Sequence, residues 1–545
     1  MCSDCTLRVL VVELKTDETR PRLPKKAERF VFFRITNEKE FKKALPTMAD
    51  YITTAHAASQ NRNDIFKQKA DGTLKGLIHL VSMNISFSAV GLAKLGAEKF
   101  NDEVFNGGQF KDMTAPSSGE SEEDHQGLDL QQEWAPELMP SGGGIDGCLV
   151  VAGDSLESID KSIKKTFDWV FNIGNENQSI DKVYTKVGQV FDDHLEHFGW
   201  VDGISQPIVH GLDDVVKKSG GKGMKPVNPG VIIVGGEGDE SDHPEWAKDG
   251  SFMVFRIYEQ LVPEFYHWCA FHCPTGIKEI MEAQAEQRPV TWSDAAMDEM
   301  GLFSSRLIGR WPKGAPMELH PSDDPNNGLN QSKDPEENKR LVEMKFGQEG
   351  LDRLKTIKIK NLTDEFNYNP MDQTKCPYAS HMRKTGPRDD YEEYTKHVMM
   401  RRGIPYGDWC GDEERGGGVT KAERGLLFVS YQSSIDNGFR TQQKRWANTS
   451  DGPTDFAKQA GGNSQGIDPI IGQIHPNLLA EKKAGQFNAQ YATAPKIDFP
   501  TPVYGQVAPQ VFDKSIDLAR LCVPHGGEYF FTPSISALKD YIPSI

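Results

Sequence analysis

Three short stretches hold residues suited to acid–base or ligand chemistry. Phe198–Pro207 reads FGWVDGISQP, with one carboxylate, Asp202, between Gly199 and Gly203 and apolar neighbours Trp200, Val201 and Ile204. Such a turn is often plain structure, yet an aspartate held by glycines in an apolar setting can also be a poised acid–base. Cys376–Arg388 reads CPYASHMRKTGPR and sets His381 among Arg383, Lys384 and Arg388. Neighbouring cations favour neutral imidazole, the form that binds a metal, including haem iron. The arginines could pair with haem propionates. Arg401–Gly407 (RRGIPYG) puts two arginines at a tight turn, and Gly425–Gln432 (GLLFVSYQ) is an apolar strand able to wall a flat aromatic cofactor. Asp, His and Arg on separate elements beside an apolar wall suggest a haem peroxidase site.

Other clusters read as structure. His267, Cys269, His272 and Cys273 lie in YHWCAFHC, inside a helix expected to begin near Pro263. Structural zinc prefers Cys pairs on turns, so this stretch reads as a packed helix. Cys2 and Cys5 form one CxxC without a second pair. His194 and His197, beside Asp192, Asp193 and Glu196, read as a solvated helix end. Gly142–Gly144 and Gly416–Gly418 lack the residues of a phosphate or dinucleotide loop and read as linkers.

The positioning elements follow from periodicity. Arg29–Ile35, Gly76–Ser86 and Cys148–Ala152 read as strands, and residues 38–58 read as a helix disturbed by Pro46. Asp154-Ser155 is an N-cap candidate for a helix with Leu156, Ile159, Ile163, Phe167 and Val170 at helical spacing. After residue ~220 the pattern restarts, as the length prior allows. Val231–Val234, Ser251–Ile257 and Gly425–Gln432 read as strands, and Gln260–Ala283 reads as one helix. This order predicts an α+β protein of two similar halves. Residues 111–145, 214–230, 312–340, 411–418 and 447–466 read as inserted loops, and long loops often carry function.

The 545 residues have room for several domains and a sizeable core. A net charge of −17 argues against nucleic acid or an anionic membrane as the main partner, since both need a basic face. No apolar run approaches the ~18 residues of a membrane span. Eight scattered cysteines do not make a disulfide framework. The start, MCSDCTLRVLVVELK, shows no signal-peptide core, so the expected location is cytoplasmic or leaderless, with secretion still open.

The chain resembles the dye-decolorizing peroxidases, in their long, fungal-like form. The GxxDG motif is Gly199–Gly203, GWVDG. NISFSAVGLAKLG (84–96), FNGGQF (105–110), GSFMVFRIYEQLVPEF (250–265), RLIGRWPKGAP (306–316), CPYASHMRKTGPR, GLLFVSYQ and IDPIIGQ (467–473) follow in the family's order. The resemblance covers roughly residues 75–500. It implies two ferredoxin-like domains, 1–213 and 225–545, each an antiparallel sheet with helices, with one haem b per chain in the C-terminal half.

The resemblance also implies roles. His381 would be the axial ligand of the haem iron, with Asp468 accepting from its other nitrogen. Asp202 would be the acid–base, and Arg401 the cation that stabilises developing charge, with Arg402 its competitor one position on. Leu426 and Phe428 would wall the pocket, and Arg383 and Arg388 would pair with propionates. The implied reaction reduces hydrogen peroxide through a ferryl intermediate and oxidises dyes, phenols and other one-electron donors. A haem carrier or sensor without efficient turnover is the alternative. Free aspartate titrates near ~3.9, so a carboxylate base predicts activity at acidic pH. Bulky dyes would need a surface relay, with Trp311, Trp409, Tyr406, Tyr431 and Trp446 as candidates. Monomer and homodimer are both open.

Overall fold

Strand β1 (Ala27–Ile35, AERFVFFRI) has four consecutive apolar residues because both of its faces are covered. Phe33 packs against Phe41 and Phe171 on the helical side, while Phe32 packs against Phe255 and Phe530 of other strands. Side chains alternate across a strand, so a doubly buried strand loses its polar alternation. The same division recurs in the second half, where Phe252 meets Phe100 and Phe105 while Phe255 faces Phe30 and Phe32.

A computed structural model of the chain describes residues 25–54, 80–115, 128–191, 194–210, 223–325, 366–370, 372, 374–449, 452–453, 467–473 and 520–545, with isolated positions between 57 and 73. Cys2 and Cys5, residues 76–79 of the expected strand Gly76–Ser86, Asp192 and Asp193, and parts of the 111–145, 214–230, 312–340 and 447–466 insertions lie outside the described residues.

The further strands are β2 (Val81–Phe87), β3 (Gly147–Gly153), β4 (Ile180–Gln189), β5 (Ile208–Val209), β6 (Pro226–Val227), β7 (Ser251–Gln260), β8 (Met400–Arg401), β9 (Ile404–Tyr406), β10 (Gly425–Gln432) and β11 (Cys522–Thr532). The main sheet runs β4-β1-β3-β2-β11-β7-β10-β8, with β9 also on β10, and β5 pairs β6 separately. All pairings of the main sheet are antiparallel. Its two halves have equivalent strand orders. β4-β1-β3-β2 is matched by β11-β7-β10-β8, each from a strand–helix–strand, strand–helix–strand run. Both are ferredoxin-like, as the sequence implied. They meet where Phe87 pairs with Phe531.

Several local expectations are corrected. The first helix spans Glu38–Ala49 and ends one turn past Pro46, whose ring removes a donor from the ladder. Residues 231–234 form no strand, because Pro229 opens a helical turn there, although the side chains of Ile232, Ile233 and Val234 are buried. The expected single helix 260–283 is two, Val262–Phe271 and Pro274–Ala285, divided at Pro274. Ser155 is the N-cap of Leu156–Trp169, accepting from Ser158 N. Strand β11, which the sequence reading missed, lies mid-sheet. Its pattern is masked by Pro524 and by a register shift before Gly527.

Candidate active site

One cavity gathers most of the singled-out residues. It holds about 1700 Å³ of empty volume, its open mouth included, and is lined by Asp202, His381, Arg388, Arg401, Leu426 and Phe428 among others. Strand alternation builds its apolar wall. Leu426 and Phe428 line the cavity, whereas Leu427 and Val429 are buried in the core. Tyr258 and Gln260 of the adjacent strand β7 extend this wall.

His381 opens the short helix His381–Thr385. Its Nδ1 lies 2.8 Å from Asp468 Oδ2. The other carboxylate oxygen of Asp468 accepts from Ile470 N at 2.8 Å and Ile471 N at 3.0 Å, so the acceptor cannot swing away. An ionised carboxylate can only accept, so Nδ1 carries the proton and Nε2 is left for the cavity. Burial pulls the imidazole down, but the charge and hydrogen bond of Asp468 outweigh it and hold His381 above its ordinary value, with Arg401 opposing. This corrects the expectation that neighbouring cations set its ionisation.

Asp202 sits on a loop whose glycines carry the strain. Gly199 has φ +103° and Gly203 φ +77°, conformations that side chains rarely adopt. Asp202 Oδ1 accepts from Gly203 N at 2.6 Å and lies 3.4 Å from Arg401 Nη1. Arg401 Nη2 donates to Ser205 O at 2.8 Å. Gln206 locks the same strand by bonding both Arg401 N and Arg401 O. Arg402 does not line the cavity. Its Nη1 donates to Arg401 O, and its charge acts on buried Glu28 and Tyr431. Arg401, the last residue of β8, therefore faces Asp202, and Arg402, just past the strand, does not.

Two expectations for propionate partners separate here. Arg388 is a buried cavity-lining residue whose guanidinium lies 3.9 Å from the Phe366 ring and donates to Phe366 O. Arg383 is not among the lining residues. Its guanidinium is committed to Asp390 and to the carbonyls of Asn369, Asp372 and Cys376, a structural knot. Of the five relay candidates, Trp311, Tyr406, Tyr431 and Trp446 are buried, and Trp409 is 40% exposed. The YHWCAFHC residues stay separate from the cavity. His267 bonds Gly416 O and His272 stacks on Phe303. His197, expected on a solvated helix end, is buried, with Nε2 on Tyr406 O.

Sequence reasoning missed Glu196 and Arg310, which both line the cavity. Arg310 donates to Ser205 Oγ at 3.0 Å and Gly314 O at 2.7 Å. Its signal was present in RLIGRWPKGAP. Glu196 was read with the histidines around it rather than with the loop it precedes.

Comparison with known proteins shows the family. A family model described as a DyP dimeric alpha+beta barrel domain matches residues 19–191, and one described as a Dyp-type peroxidase C-terminal domain matches residues 360–464. The chain belongs to the dye-decolorizing peroxidase family. A dye-decolorizing peroxidase of Auricularia auricula-judae is 30% identical, over 97% of this chain and 87% of that protein. One from Mycena epipterygia is 31% identical, over 84% and 76%. Among solved structures, an ancestral D-type dye-decolorizing peroxidase superposes with a TM-score of 0.70 at 33% identity, covering 98% and 99% of the two chains. A mutant of the Pleurotus ostreatus dye-decolorizing peroxidase gives 0.71 at 30% identity over the same shares. The match to the dye-decolorizing peroxidase family begins well before residue 75, because β1 and its helix complete the first half-sheet.

Proposed function

We propose that this chain is a haem peroxidase in which His381, Asp202 and Arg401 divide the work, with one haem b per chain. The observation that carries the proposal is their convergence on one cavity, with Asp468 fixing the imidazole. The donor set suits the group: an imidazole with Nε2 available, an apolar wall from Leu426 and Phe428, and the cations Arg388 and Arg310 for acidic substituents. His381 Nε2 would bind the iron. When bound, haem supplies the redox centre at which peroxide is reduced and from which donors are then oxidised one electron at a time.

The protein supplies proton handling and charge. Asp202 Oδ1 is engaged by Gly203 N and Arg401, so Oδ2 is the atom that takes a proton from peroxide and returns it to the departing oxygen, which leaves as water. The guanidinium of Arg401, pinned to Ser205 O, stabilises negative charge developing on that oxygen. A carboxylate stays charged at acidities that protonate a histidine, which supports turnover in acid. Trp409 is the relay candidate that a bulky dye can touch from outside. No described helix is long and apolar enough to cross a membrane.

Asp468→Asn leaves Nδ1 facing a neutral partner, and haem affinity should fall by ~10–100-fold, measured by haemin titration. The function itself is tested by dye bleaching. Haemin-reconstituted protein should bleach an anthraquinone dye only when peroxide is present. Loaded protein that leaves the dye intact at every pH would refute the proposal.

A further inference from the structure

Glu196 has no part in the mechanism above, yet it organises the loop that carries Asp202. Its Oε1 accepts from Trp200 N at 2.8 Å, and its Oε2 accepts from Phe198 N at 2.9 Å. Its own N–H donates to Trp200 O, and its carbonyl accepts from Gly199 N. One residue thus satisfies three consecutive positions of the turn leading to Asp202. The same Oε2 also accepts from Gln260 Nε2 at 2.5 Å. Gln260 is the last residue of β7, and its N–H is held by Arg424 O. The Asp202 loop follows the first half-sheet in sequence but is fastened through this carboxylate to the second.

We propose that Glu196 is the positioning residue of the Asp202 loop, acting through its bonds to Phe198 N, Trp200 N and Gln260. The proposal rests on the assignment of Asp202 as the acid–base. An acceptor-only group suits the task, because Phe198 N, Trp200 N and Gln260 Nε2 all donate to the carboxylate.

Glu196 should also make the loop sensitive to pH. Burial pushes it up to about 7, the bonds from Gln260, Phe198 and Trp200 oppose this, and the charge of Asp202 adds to it. Besides Asp202 on its own loop, Tyr266 from helix Val262–Phe271 and Cys522 from β11 face it. Burial raises both of those groups, so they stay neutral around pH 7. Above about 7 the ionised carboxylate accepts all three N–H groups. Below it, the neutral carboxyl accepts more weakly, and its proton needs an acceptor that the three N–H groups do not supply; the buried Oε1 of Gln260 can serve only if the amide that fastens the loop to β7 turns over.

The test uses hydrogen–deuterium exchange of the haem-free full chain and peroxide kinetics of the loaded enzyme. Glu196→Gln should speed exchange at the Phe198 and Trp200 amides. After correction for intrinsic exchange, wild-type protection of these amides should step up through pH 7, and the variant should show no step. Glu196→Gln should slow reaction with peroxide by about 10–100-fold, as a misplaced catalytic group does. It should add nothing in an Asp202→Asn background. Gln260→Leu, which removes the fastening to β7 and leaves the two backbone bonds of Glu196, should show the same pattern more weakly. Unchanged protection in both variants, or multiplying effects in the Asp202→Asn background, would overturn the proposal. If Asp202→Asn itself reacts normally, the assignment of Asp202 fails, and the exchange data still report whether Glu196 holds the loop.

Discussion

Asp202→Asn should slow reaction of the haem-loaded enzyme with peroxide by ~10²–10⁴-fold, the range for loss of a general acid–base. Asparagine keeps the size of the side chain and can still accept from Gly203 N, the contact that sets the turn. What it loses is the ability to take and return a proton. Haem binding should be unaffected, because His381 and Asp468 form a separate hydrogen-bonded unit. Stopped-flow absorption at several peroxide concentrations separates the two quantities. A variant that loses haem as well as rate would indicate a collapsed pocket instead of a missing proton carrier.

Arg401→Leu should cost about 10²–10³-fold in the same reaction, the range for removing one preorganised donor of developing charge. Leucine also releases Ser205 O and removes the cation 3.4 Å from Asp202. Both groups act on one step, so the double variant should be little worse than the slower single. Arg401→Lys should recover only part of the loss, since an ammonium cannot reach Asp202 and Ser205 O with the fork geometry of guanidinium. Arg402→Leu is the control, because Arg402 follows β8 and does not line the cavity. Its effect should fall on stability rather than on peroxide reactivity, checked by thermal unfolding beside the kinetics.

Local motifs were legible where one short stretch carries both geometry and chemistry. GWVDG shows its glycines and its carboxylate together, and GLLFVSYQ shows a strand with matching observed ends. His381 and Asp468 are 87 residues apart, and their pairing was reachable through resemblance rather than spacing. Arg383 misled because a cation near a candidate ligand in sequence need not face it. Its short helix turns the guanidinium toward Asp390. Glu196 was hidden for the opposite reason. Two of its three partners are backbone amides of its own loop, which leave no mark on residue type, and the third, Gln260, lies 64 residues on. Strand β11 was missed because Pro524 and the paired glycines Gly526 and Gly527 interrupt its alternation, although its neighbours on both sides are sheet strands.

The proposed function requires one cavity to hold haem through His381 and to react it with peroxide through Asp202 and Arg401. An absorption spectrum of haemin-reconstituted protein, before and after one equivalent of peroxide at pH 4 and pH 7, tests it most directly. Uptake of one haem per chain and prompt conversion of the ferric spectrum are expected, with uptake weakened in His381→Ala and conversion slowed in Asp202→Asn. A bound haem whose spectrum ignores peroxide, or no uptake at all, would contradict it.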